Sequence, residues 1–157
     1  MTDNQQFEQL YTFALYMLGS ADEAASSQVQ HTAAVNNSVY CATDIVGMAE
    51  GDTANAAAAL ADINLFPSVP DRLQQAMLNT MFLGRLLTNV DGLGSAQQFQ
   101  TTGGANMLNN AQAYYDGNSQ GAIFGGAVTA VSNQWTKAVL GVGGMNYSTL
   151  LDRSVDF

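Results

Sequence analysis

Basic residues are almost missing from this chain: four Lys plus Arg stand against thirteen Asp plus Glu, a formal net charge of −9. With no cluster of cations to neutralise phosphates, the composition argues against nucleic-acid binding, and an anionic membrane surface would repel the chain. Charge of either sign is scarce, at 11% of residues against about 25% in ordinary soluble domains, while 47% of residues are hydrophobic. That ratio implies a large interior and a thin charged rim. A single cysteine, Cys41, excludes an internal disulfide and any Cys-based zinc cluster. No set of His, Cys and carboxylates is spaced for zinc, and no phosphate loop with its lysine is present, so neither metal nor cofactor is expected. No apolar run approaches the roughly 18 residues of a membrane span, and Met1 to Gln6 lacks the basic-then-apolar order of a secretory signal. As written, the chain reads as soluble, and nothing in it assigns a compartment.

What is present is alternation. The 157 residues suffice for one domain with a real core. Phe13 to Leu18 is a short apolar run that predicts a strand, although Leu10 to Phe13 could equally start a helix. Ser20-Ala21-Asp22-Glu23 has the form of a capping box, which predicts a helix to about Ala34. Asn36-Asn37 breaks it, and Val39 to Thr43 follows as a second strand with Asp44 near its end. Gly51-Asp52-Thr53 opens an alanine-rich helix to about Ile63. Two prolines, Pro67 and Pro70, then suit a loop and the start of a helix from Asp71 to about Leu87. In that helix Leu73, Met77, Met81, Phe82 and Leu86 recur at helical spacing and predict the buried face. Gly92 to Asn110 reads as an irregular excursion anchored by Phe99. Ala113 to Asp116 is a third strand, Ala122 to Val131 a helix, and Lys137 to Val142 a fourth strand. The order predicts an α/β fold, with right-handed crossovers and a mostly parallel sheet flanked by helices.

Between the third strand and the helix lies Gly117-Asn118-Ser119-Gln120-Gly121. Gly-x-Ser-x-Gly is the pattern of a nucleophile elbow, a strained strand-to-helix turn that lifts a serine hydroxyl above the carboxyl edge of a sheet. Gly117 and Gly121 would let strand and helix approach without side-chain collision. Ser119 supplies the hydroxyl, and the Gln120 backbone amide, at the helix N-terminus, would face a developing oxyanion. Gly125-Gly126 would let that helix lie close to the sheet.

The run Tyr114-Tyr115-Asp116-Gly117-Asn118-Ser119-Gln120-Gly121, followed by Ala138-Val139-Leu140-Gly141-Val142-Gly143-Gly144-Met145-Asn146-Tyr147-Ser148, resembles a bacterial, esterase-like group of the α/β-hydrolase superfamily. Tyr40-Cys41-Ala42-Thr43-Asp44 with Gly47-Met48, and Pro70 to Gln75 with Phe82-Leu83-Gly84-Arg85, are similar too, so the resemblance runs from about Phe13 onward. It implies one partial α/β-hydrolase domain over 1–157, with 47–104 a helical insertion between the second and third strands. It further implies a small acyl or ester substrate and a triad in the order serine, acid, histidine.

The triad is not complete in the sequence. The only histidine, His31, precedes Ser119 and falls in the first helix, where a polar surface role is expected. Asp152 and Asp156 follow the last strand but read first as solvated carboxylates. Asp44 and Asp116 read as turn or cap residues at strand ends, and Cys41 as a small core residue. The His-Gly turn that the family would place after the first strand is replaced by Leu15-Tyr16-Met17-Leu18-Gly19-Ser20, which removes one oxyanion donor. The chain therefore reads as a fragment or a degenerate copy of a serine hydrolase. The alternative is an inactive α/β module that binds a ligand or a protein, or associates with itself through an exposed sheet edge.

Overall fold

A ten-residue strand, β1 (Gln6–Leu15), is the axis of the fold. The computed structural model describes residues 6–15, 18–19, 24–109, 112–144, 146, 149 and 153. On one side β1 pairs in parallel with β3 (Ser38–Cys41), Gln6 opposite Ser38 and Leu10 opposite Cys41. On the other it pairs in parallel with β4 (Tyr114–Asn118), Gln9 opposite Tyr114 and Phe13 opposite Asn118. β4 continues in parallel to β5 (Ala138–Gly141). The end of β1 also folds back in antiparallel pairing on β2 (Leu18–Gly19). The parallel order is thus β3-β1-β4-β5, and the chain is a mixed α/β fold.

The strand expected at Phe13–Leu18 covers only the last part of β1. Its first half, Gln6 to Gln9, is mostly polar and becomes strand because β3 pairs with it from Gln6 and β4 joins on the other side at Gln9. α1 (Ser27–Asn36) starts later than the capping-box pattern predicts, and Ser20 to Glu23 lie outside the described residues. Its cap is Ser26, extended at φ −64° and ψ 147°, whose hydroxyl accepts the Val29 amide at 3.4 Å. Asn37 ends it in the left-handed region at φ 50°, a conformation that asparagine tolerates, as the Asn36-Asn37 break predicts.

Between β3 and β4 run α2 (Thr53–Ala61) and the 21-residue α3 (Ser68–Thr88), with Pro70 in the first turn of α3, where its missing N–H costs nothing. α3 packs against α4 (Gln120–Val131) and β1, so the segment 47–104 contributes to the core. Its buried positions are Ala76, Thr80, Gly84 and Leu87, with Leu73, Met77 and Met81 half-buried. Phe82 and Leu86, expected on that face, are 56% and 47% exposed. The cause is close packing on the small residues: a Cβ on Gly84 would lie 2.9 Å from the Trp135 ring, so α3 lies down on Ala76, Thr80 and Gly84 and turns Phe82 and Leu86 outward. Phe99 anchors the irregular stretch that follows by packing on the core.

The loop leaving β3 is held by a buried carboxylate. Asp52, 3% exposed, accepts the Gly47 amide at 2.6 Å, the Ala49 amide at 3.3 Å and the Arg72 Nε at 2.6 Å. A carboxylate removed from water needs such partners, and here they tie the loop to the start of α3.

The two faces of the sheet carry different helices. Val39 and Cys41 pack with the cluster of Tyr115, Phe124, Val128 and Trp135, beneath α3 and α4. Tyr40 points the other way and packs on Val29 and Ala33 of α1.

Candidate functional site

β4 ends at Asn118, α4 begins at Gln120, and a single residue, Ser119, makes the turn between them. Its backbone sits at φ 53° and ψ −118°, a combination in which a Cβ is crowded and which non-glycine residues rarely adopt. The tertiary frame holds it there. The Ser119 amide donates to the Gly141 carbonyl of β5 at 2.9 Å, and the Ser119 carbonyl accepts from Ala122 and Ile123 at 2.9 and 3.1 Å. Ser119 is exposed, and its side chain makes no cap hydrogen bond to α4. Ser26, at the equivalent position of α1, does cap its helix. The two serines occupy the same place relative to a helix, yet only one turns its hydroxyl into the helix end.

The flanking glycines are sterically required. A Cβ on Gly117 would stand 2.5 Å from the Gly121 carbonyl oxygen, and one on Gly125 would stand 2.2 Å from Tyr115 Cε1. Gly126, by contrast, has nothing within 4 Å of a built Cβ, so of the pair only Gly125 brings α4 close to the sheet. A Cβ on Gly141 would meet the Asn118 carboxamide at 2.0 Å, which keeps the ends of β4 and β5 close. Gln120 is buried at 8% exposure as the first residue of α4. Its amide belongs to the first turn of α4, where the helix dipole favours negative charge.

The turn also lies at a topological switch point. The connection from β1 runs through α1 on one face to β3, and that from β4 runs through α4 on the other face to β5. The chain thus diverges between β1 and β4, and ligands of open α/β sheets bind at the carboxyl ends of strands where this happens. Ser119 leaves β4 at that end. Further along α4 a cleft of about 590 Å³ opens between Ala122, Ile123 and Gly126 of the helix and Leu140, Gly143 and Asn146 around and after the end of β5; Ser119 itself does not line it.

The other candidates stay apart from this turn. His31 is exposed on α1, across the sheet from α4. Asp44 is exposed just past β3, and Asp116 is half-buried within β4, where burial raises its carboxyl above the ordinary range. Burial pushes the Cys41 thiol up to about 11, leaving little thiolate at neutral pH. Asp152 and Asp156 lie outside the described residues. Among the described residues no three His, Cys, Asp or Glu side chains group as metal ligands, and no helix is long and apolar enough to cross a membrane.

One residue that packs under this turn is not evident from the motif. Tyr115, 1% exposed, donates its hydroxyl to the Gly121 carbonyl at 2.6 Å and stacks on Trp135 with ring centroids 5.6 Å apart. The available signal was strand period: Tyr115 is two residues before Gly117 and so shares its face.

No protein-family model matches the chain, and no curated protein or solved structure matches it significantly.

Proposed function

We propose that this chain carries the nucleophile side of an α/β-hydrolase-type site and belongs to a serine hydrolase acting on carboxylic esters or related small acyl compounds. The observation that carries the reading is the backbone of Ser119, strained at φ 53° and ψ −118°, with an exposed side chain that does not cap its helix. Strain of this kind persists only where the surroundings over-determine it, and a serine so placed leaves its exposed hydroxyl uncommitted to its own helix.

In this reading Ser119 Oγ attacks the acyl carbon, the carbonyl π pair moves to oxygen, and the Gln120 amide at the start of α4 stabilises the resulting oxyanion. The hydroxyl proton must pass to a base. His31 does not suit that task from the far face of the sheet, so the base and its acidic partner come from outside the described residues. The cleft along α4 is lined by small and aliphatic residues with Asn146 as its polar member and holds no charged side chain, which suits an uncharged acyl group that extends there from Ser119.

A second reading, an inactive α/β module that binds a ligand or a protein partner, draws on β5. It is one edge of the parallel order, and Val139, Leu140 and, just past it, Val142 are 59%, 45% and 85% exposed. An apolar edge of this kind would also serve self-association.

A fluorophosphonate probe separates the two. Under the hydrolase reading it labels the wild-type chain on the peptide containing Ser119 and leaves Ser119→Ala unlabelled. Equal labelling of both, or of neither, would remove the hydrolase reading.

A further inference from the structure

Gly117, Gly121 and Gly125 recur every four residues from the end of β4 into α4; the first and last face the ring of Tyr115, and the middle one meets its hydroxyl. Its Cε1 lies 2.8 Å from where a Gly117 Cβ would be and 2.2 Å from where a Gly125 Cβ would be. Its hydroxyl donates to the carbonyl of Gly121 at 2.6 Å, in the buried interior. On its other side the ring stacks on Trp135, at an interplanar angle of 23°, and Trp135 is itself seated by a bond from its Nε1 to Thr129 Oγ1 at 3.1 Å. The tyrosine therefore fills the wedge between β4 and the first two turns of α4, fixed at one end by stacking and at the other by a directional hydrogen bond.

We propose that Tyr115 is the positioning residue of the Ser119 turn, which rests on the reading of Ser119 as a nucleophile. The Gly121 carbonyl belongs to the first turn of α4, two residues beyond Ser119. By holding that carbonyl, the Tyr115 hydroxyl sets the depth and rotation of the turn against β4. The backbone of Ser119 then cannot relax toward an ordinary helix cap, and the Gln120 amide keeps its direction. Tyr115 touches no reacting atom; it acts through the backbone of residues 119–121.

The test compares wild type, Tyr115→Phe and Trp135→Phe. Tyr115→Phe keeps the ring and its stacking and removes only the hydroxyl. Trp135→Phe weakens the core nearby and leaves the hydroxyl bond in place. Two quantities are read: the rate of fluorophosphonate labelling at Ser119, and hydrogen exchange at the Ala122 and Ile123 amides, both bonded to the Ser119 carbonyl. Loss of one hydrogen bond of ordinary strength corresponds to about a tenfold change, so Tyr115→Phe should label about tenfold more slowly and exchange about tenfold faster at those amides. Trp135→Phe should lower the unfolding temperature while leaving labelling and exchange near wild type. Equal effects of the two variants on both quantities would make Tyr115 a core residue only and overturn the proposal. A Tyr115→Phe chain that labels and exchanges like wild type, or that does not fold, overturns it too. If the wild type is not labelled, the hydrolase reading fails separately, and the exchange comparison still decides the role of Tyr115.

Discussion

Replacing Ser119 by glycine should make the protein more stable. A non-glycine residue held at φ 53° and ψ −118° carries strain of about 1–3 kcal/mol, which glycine does not feel. Glycine also adds freedom to the unfolded chain, which offsets about 0.4–1 kcal/mol of that gain. Little else changes, because the side chain is exposed and caps nothing. The net expectation is a stabilisation of about 1 kcal/mol, or about 2–4 °C in unfolding temperature for a domain of this size. Ser119→Ala keeps the Cβ and therefore the strain, and should lie within about 0.5 kcal/mol of wild type. An ordinary cap serine behaves in the opposite order: alanine costs about 1 kcal/mol and glycine only a few tenths. Urea titrations followed by circular dichroism, with the slope checked for constancy, distinguish the two patterns. A Ser119→Gly variant no more stable than wild type, or a Ser119→Ala variant weakened by about 1 kcal/mol, would show that the turn is an unstrained helix cap.

Two further outcomes follow from burial and contact. Gly125→Ala should destabilise by about 1–3 kcal/mol through collision with Tyr115, while Gly126→Ala, on the open side of the same helix, should stabilise by about 0.5–1 kcal/mol; similar effects from the two would contradict the packing of α4 on β4. Cys41, its thiol pushed from 9.0 to about 11 by burial, should alkylate slowly in the folded chain until the pH approaches that value, and readily near pH 9 in urea. Because the unfolded thiol loses its proton first, this group also makes stability fall as pH rises above 9.0, and equal alkylation of folded and unfolded chains near pH 8 would contradict its burial.

Legibility followed the range of the interactions. The β4–Ser119–α4 turn can be read from five residues, because Gly117 and Gly121 answer a collision between near neighbours. The same holds for the Asn36-Asn37 stop, where Asn37 takes a left-handed backbone, and for the prolines at the start of α3. β1 was only half legible, since Gln6 to Gln9 show no apolar run and owe their conformation to pairing with β3, which β4 joins only at Gln9. The inner face of α3 was misassigned at Phe82 and Leu86 because hydrophobicity favours large residues, whereas Trp135 favours a side on which Gly84 leaves room. Tyr115 gave no motif signal; its weight comes from Trp135, Gly121 and Gly125, which the fold gathers around it.

Composition and local sterics alone determined the α/β class, the alternation of elements and the position of one serine between a strand and a helix. They could do so because periodicity, caps and glycine requirements act over a few residues. The parallel order β3-β1-β4-β5, the strained backbone at Ser119 and the separation of His31 from it were decided only by the tertiary structure. Each depends on which distant segments share an edge or a face, and that is settled by packing the whole chain at once.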